Sequence, residues 1–243
     1  MLVIAHRGAS GHAPENTLAA FRRALTCGAT FIETDVHLSR DAHFVAIHDE
    51  TLERTTNGQG LVHEHSLAEL RRLDAGSWFG SEFAGERIPT LDEIFEFSRQ
   101  NDVVFYLELK LVGTYGAEHA LVSALRQSGE IARAVVMSFD PQVLVSLRRS
   151  EATLMTALLH DGTLADLFEQ AISSGVRQIA TREDLVTPAL LTEARRRDLQ
   201  VVCWTVNHPA QMRALIAAGV DGIISDYPDR VVAASKERRG SGA

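Results

Sequence analysis

Short apolar or β-branched runs recur along the chain, and most are followed by a longer stretch in which apolar residues return every three or four positions. The first pattern suits a strand buried on both faces and the second a helix buried on one, so the alternation predicts repeated strand-helix units. Candidate strands are Leu2–Ala5, Phe31–Val36, Val103–Leu109, Ala134–Ser138, Thr153–Leu158, Val176–Thr181, Gln200–Thr205 and Asp221–Ser225. Eight such strands separated by helices, over 243 residues, match an α/β fold of the TIM (β/α)8 barrel type in number and in length.

The helices carry start and stop signals. Asn16-Thr17 opens a segment with Leu18, Phe21, Ala24 and Leu25 at helical spacing, and Gly28 stands where a C-terminal glycine belongs. Ser66 with Glu69 reads as a capping box, and Pro89-Thr90, Pro141, Pro188 and Pro209 stand at helical starts. Between the second and third barrel strands, at about residues 41–89, the rhythm breaks. That stretch is too long for a simple connection and reads as a small insertion, with a short strand in His43–His48 and Trp78-Phe79 as an apolar cover. One barrel domain is expected over residues 1–234, with a flexible polar tail over 235–243.

Composition narrows the function. With 24 Lys+Arg against 32 Asp+Glu the formal charge is −8, and no basic block precedes Lys236, which argues against nucleic acid as a partner. No run of about 18 apolar residues occurs, so stable membrane insertion is not expected, and without a leader-like start the expected location is cytoplasmic. Cys27 and Cys203 form no CxxC pair and read as free core thiols without chemistry.

In a barrel of this kind reactive groups gather at the C-terminal ends of the strands. There the chain places His6-Arg7, Glu33 and Asp35, and Glu108 and Lys110. Residues two apart on a strand point the same way, so Glu33, Asp35 and Glu108 can converge, and a hard cation such as Mg²⁺ or Ca²⁺ would relieve their repulsion. The competing reading is that each pairs separately with a rim Arg or Lys. His6 and His48 are candidate proton carriers, and Arg7 and Lys110 are candidate phosphate contacts or internal ion-pair partners. Trp204 ends a strand and either walls a pocket or packs in the barrel. His63-Glu64-His65 and Gly58-Gln59-Gly60 read as loop residues, and His12 and the remaining histidines as surface or packing residues.

Taken together, His6-Arg7-Gly8 through Pro14-Glu15-Asn16-Thr17, then Glu33-Thr34-Asp35-Val36, His48-Asp49 and Thr51 through Gly58 resemble the glycerophosphodiester phosphodiesterases. Gly76 to Phe79, Arg87 to Leu91, Glu108-Leu109-Lys110, Trp204 to Asn207 and Asp226-Tyr227-Pro228 continue the likeness in order, with Glu53 and Ser225 as small departures. The resemblance implies cation-dependent hydrolysis of a small glycerophosphodiester to sn-glycerol 3-phosphate and an alcohol. It implies Glu33, Asp35 and Glu108 as metal ligands for one divalent cation, Mg²⁺ or Ca²⁺, and His6 and His48 as the acid/base pair. By the same likeness Arg7 and Lys110 are phosphate contacts, with Glu15, Asn16 and Trp204 also at the substrate. The attacking oxygen would be water or the glycerol 2-hydroxyl. Two alternatives share these residues: a lysophospholipase D with an apolar groove lined by Trp78, Phe79 and Phe83, and a phosphoester-binding barrel without catalysis.

Overall fold

The structure is a computed structural model that describes residues 1–110, 116–162 and 166–240. In chain order the elements are β1 (Leu2–Ala5), α1 (Leu18–Thr26), β2 (Phe31–Leu38), β3 (Phe44–Ala46), α2 (Leu67–Leu70), α3 (Leu91–Asn101), β4 (Val104–Leu109), α4 (Ala117–Ser128), β5 (Ala134–Ser138) and α5 (Pro141–Ser150). They continue with β6 (Met155–His160), α6 (Leu167–Ser174), β7 (Gln178–Arg182), α7 (Pro188–Arg196), β8 (Gln200–Trp204), α8 (Pro209–Ala218), β9 (Gly222–Ser225) and α9 (Pro228–Gly240).

Every strand except β3 is parallel to its neighbours, and β1 pairs with both β2 and β9, which closes an eight-stranded TIM barrel. Side chains alternate across each strand. Ile32, Leu107, Val136, Leu158 and Ile179 face outward against the helices, while Ile4, Tyr106, Met137, Leu159, Val202 and Ile224 fill the barrel. Local signals set the helix ends: Thr17 caps α1, Ser66 and Thr90 form capping boxes on α2 and α3, and Gly129, Gly175 and Gly219 end α4, α6 and α8 in left-handed backbone.

Several boundaries differ from the sequence pattern. β6 and β7 each start two residues later than the runs that begin at Thr153 and Val176. The Thr153 hydroxyl donates to Glu151, and the Val176 N–H donates to the Ala171 carbonyl behind Gly175, so both residues serve turns that close the preceding helices. β2 is two residues longer than expected because Val36, His37 and Leu38 pair with antiparallel β3. The polar end expected to be a flexible tail from residue 235 instead continues α9 as far as Gly240, and 241–243 lie outside the described residues. From β3 onward the chain builds a core of its own from Val45, Ile47, Leu52, Val62, Leu70, Ala75 and Ile88. Trp78 and Phe79, read as an apolar cover, stay 41% and 36% exposed and stack edge-on, with Phe83 beside Phe79. Among the described residues no helix is long and apolar enough to cross a membrane.

Phe21 joins the barrel to its helical jacket: it is fully buried and meets Phe97 and Phe105 edge to face. Phe21→Ala is expected to destabilise the protein by about 3–5 kcal/mol, read from the urea midpoint, because three helix and strand surfaces cannot all collapse onto the cavity.

Candidate active site

Glu33 and Asp35 project from β2 on the inward face, between outward-facing Ile32, Thr34 and Val36. β4 runs parallel with Asp35 opposite Glu108, so the third carboxylate lies on the same face of the adjacent strand. Oxygens of all three come within 4.8 Å of one another. Asn16 holds the cluster from behind: its amide donates to Asp35 Oδ2 at 2.9 Å, and its carbonyl accepts from the Thr34 hydroxyl and the Asp35 N–H.

Two cations flank this charge. Arg7 Nε lies 3.3 Å from Asp35 Oδ2, and Arg7 also donates through its guanidinium to Glu15 and through its backbone N–H to Glu33 Oε2. Lys110 bonds Glu108 and makes an ion-pair contact of 3.1 Å with Asp35 Oδ1, a buried oxygen without a well-formed hydrogen bond. Burial acts to raise the Asp35 carboxyl, but Lys110, Arg7, His48 and Asn16 outweigh it and hold the group ionised. Glu33 responds in the opposite sense: burial, Asp35 and Glu108 push it well above the ordinary carboxylate range. Glu108 also rises, through burial and Asp35, in spite of Lys110. A site that is still short of positive charge, with an unbonded buried carboxylate oxygen and only oxygen donors, fits a hard divalent cation.

Both histidines are fixed through the same atom. His6 follows β1, and its Nδ1 lies 2.6 Å from Asp226 Oδ1, which leaves Nε2 4.0 Å from Glu33 Oε2. Ser10 and Asn207 donate to Asp226 as well. Burial acts to raise the Asp226 carboxyl, but these hydrogen bonds hold it at about 2. His48 follows β3, and its Nδ1 lies 2.6 Å from Asp49 Oδ1. The His48 carbonyl lies 3.1 Å from His37 Nε2, and the Ile47 N–H donates to the Asp35 carbonyl, so the β2–β3 pairing carries His48 to the barrel mouth. Burial, with Arg7 and Lys110, lowers the His48 pKa below its ordinary value, although Asp35 and Asp49 oppose the shift. Arg54 bridges Asp49 to Glu15 and so ties the His48 support to the Arg7 support.

A cavity of about 230 Å³ opens over these groups, lined by His6, Arg7, Glu33, His48, Glu108 and Lys110 on one side. Met137, Phe139, Leu159, Trp204 and Ile224 form its apolar wall, with Phe139 and Trp204 edge-on and the Trp204 indole donating to the Ala180 carbonyl. Seven of the expected site residues therefore reach the cavity wall, and Asp35 lies directly behind it. Glu15 and Asn16, expected at the substrate, sit outside that lining and act on Arg7 and Asp35 instead. Trp78, Phe79 and Phe83 do not line it either.

Sequence reasoning gave no role to Asp226, Asp49, Arg54, Asn207 or Phe139. For Asp226 a signal existed, since an acid just past the last barrel strand neighbours a histidine just past the first once the barrel closes. Backbone geometry adds a constraint at the same corner. Arg7 and Asn16 take left-handed φ angles of 53° and 55°, and Gly8, at φ 83°, is packed so that a Cβ would meet the Ala20 backbone at 2.7 Å.

Comparison with known proteins agrees with this geometry. Residues 6–230 match the family model described as the glycerophosphoryl diester phosphodiesterase family. A glycerophosphodiester phosphodiesterase of Caldanaerobacter subterraneus subsp. tengcongensis is 40% identical over 233 residues, spanning 95% of this chain and 96% of that one. Among solved structures, an Oleispira antarctica phosphodiesterase in complex with the product sn-glycerol-3-phosphate superposes with a TM-score of 0.89 at 32% identity, covering 97% of each chain. A glycerophosphodiester phosphodiesterase from Agrobacterium tumefaciens gives 0.85 at 30% identity, over 96% of this chain and 99% of that one. The chain belongs to the glycerophosphoryl diester phosphodiesterase family, a family of phosphoric diester hydrolases.

The hydrogen bonds to Asp226 make a testable electrostatic unit. In the double variant Ser10→Ala with Asn207→Ala, the Asp226 carboxyl should move up from about 2 toward the ordinary carboxylate range, followed by its ¹³C chemical shift against pH. Because the folded-state value is depressed, the stability these bonds supply is present above the ordinary carboxylate pKa and fades as pH falls through about 2.

Proposed function

We propose that the protein hydrolyses glycerophosphodiesters to sn-glycerol 3-phosphate and an alcohol, with a divalent cation bound and His6 and His48 as proton carriers. One observation carries the reading: two histidines with Nδ1 engaged by carboxylates stand at one cavity with three converging carboxylates. An engaged Nδ1 fixes the tautomer and leaves Nε2 as the working atom on each ring. The Oleispira antarctica complex with sn-glycerol-3-phosphate supports the product class.

Glu33, Asp35 and Glu108 would hold Mg²⁺ or Ca²⁺, which when bound supplies positive charge to the phosphoryl oxygens and orientation to the attacking oxygen. Arg7 and Lys110 present further positive charge at the cavity wall. Nε2 of one histidine takes a proton from the attacking water, or from the glycerol 2-hydroxyl, as that oxygen bonds to phosphorus; in the second case water then opens the cyclic phosphate to sn-glycerol 3-phosphate. Nε2–H of the other gives a proton to the departing alcohol oxygen as the P–O bond breaks. Asp226 and Asp49 each stabilise the imidazolium of the ring they hold. The apolar wall receives the carbon skeleton, and about 230 Å³ suits a small polyol ester better than a drug-sized ligand, whose pockets start at about 300 Å³. With Trp78, Phe79 and Phe83 outside the cavity, the small diester is the better fit than a lysophospholipid.

With glycerophosphocholine as substrate and enzymatic detection of sn-glycerol 3-phosphate, His6→Ala and His48→Ala should each lower kcat by about a hundredfold or more. Calorimetric binding of Mg²⁺ or Ca²⁺ should survive both changes, and wild-type turnover in both variants would overturn the assignment. Chelation should abolish wild-type activity, and adding back Mg²⁺ or Ca²⁺ should restore it. Glu33→Gln and Asp35→Asn should stay inactive at cation concentrations that saturate the wild type.

A further inference from the structure

Away from the catalytic cavity, His12, Cys27 and Asp229 bring a ring nitrogen, a sulfur and a carboxylate oxygen within 4.8 Å of one another. They arrive from three places: the turn after β1, the C-cap of α1 and the first turn of α9. His12 Nε2 lies 2.9 Å from Asp229 Oδ1, and Tyr227 packs edge-on against the imidazole at 5.2 Å between centroids. None of the three lines the catalytic cavity.

We propose that His12, Cys27 and Asp229 form a second cation site, selective for a borderline metal such as Zn²⁺, which staples the first strand-helix unit of the barrel to its last helix. A nitrogen, a sulfur and an oxygen donor together suit Zn²⁺, whereas Mg²⁺ and Ca²⁺ take oxygen alone. The two clusters therefore divide cations by donor chemistry. Tetrahedral Zn²⁺ needs donors about 3.3–3.6 Å apart, given metal-ligand lengths of about 2.0–2.3 Å. The side chains of His12 and Asp229 are 27% and 45% exposed, so both can turn by that much, and the open side admits water as a fourth ligand.

On binding, the Cys27 S–H bond breaks, its proton leaves to solvent, and the sulfur lone pair goes to the metal without any redox change. His12 and Asp229 exchange their mutual contact for bonds to the ion. Burial and the Asp229 carboxylate both raise the Cys27 thiol, and a cation at this point offsets both. The position matters because Asp229 lies three residues after Asp226, and His12 six residues after His6. The staple would join the two segments that hold the His6–Asp226 pair.

Co²⁺ titrated into the reduced, metal-stripped full chain, with Mg²⁺ saturating the carboxylate cluster, tests this directly. A sulfur-to-cobalt charge-transfer band in the near ultraviolet should grow to a single equivalent and be displaced by Zn²⁺. Cys27→Ser should remove the band and Cys203→Ser should keep it, with far-ultraviolet circular dichroism confirming that both fold. His12→Ala and Asp229→Ala should each weaken Co²⁺ binding by about tenfold or more. No band in the wild type, a band that persists in Cys27→Ser, or unchanged affinity in either His12→Ala or Asp229→Ala overturns the site.

Discussion

Repulsion among Glu33, Asp35 and Glu108 is the constraint around which the rest of the molecule is arranged. Carboxylates that approach within 4.8 Å out of water must be neutralised by protons, by basic side chains or by a bound cation. Arg7 and Lys110 meet part of that demand, and Asp35 stays ionised because both act on it. The remainder falls most on Glu33 and also on Glu108, whose raised pKa values mark where compensation is incomplete. Left-handed backbone at Arg7 and Asn16, of order 1–3 kcal/mol each, is sustained by the hydrogen bonds that those residues make to the same carboxylates.

The segment beyond β3 solves a different problem. A barrel strand presents one short stretch of residues at its C-terminal end, and β2 already uses its own for two carboxylates. Extending β2 to Leu38 and folding β3 back along it brings His48 to the mouth without a further barrel strand. Keeping His48 in place against Asp49 at the barrel mouth requires rigidity in the returning chain. Its separate apolar core supplies that, and Arg54 links its polar side to Glu15 on the β1–α1 turn.

Much of this is legible in the sequence. Strand periodicity places Glu33 with Asp35 and Glu108 with Lys110 on one face, and the C-cap glycines mark helix ends, because both signals depend only on near neighbours. Thr153 and Val176 misled for the opposite reason: their β-branched side chains suit a strand, but their N–H or hydroxyl groups are taken by the preceding turn. The roles of Asp226, Asn207 and Arg54 follow from contacts between distant segments, and no local pattern carries them. Glu15 and Asn16 stood in the right motif, yet their action through Arg7 and Asp35 appears only once the left-handed corner is built. The His12, Cys27 and Asp229 grouping was invisible for the same reason, since each residue alone is unremarkable.

Barrel closure has a consequence for the timing of synthesis. His6 is translated well before the acid that orients it, which lies 220 positions further along the chain. Until β9 is translated and seated against β1, the imidazole has no partner at Nδ1 and the ring of strands has an open seam. The strands that carry Glu33, Asp35 and Glu108 are therefore made well before the His6–Asp226 pair can form. Orientation of His6 waits on closure of the seam between β1 and β9 and not on the strands that carry the carboxylates.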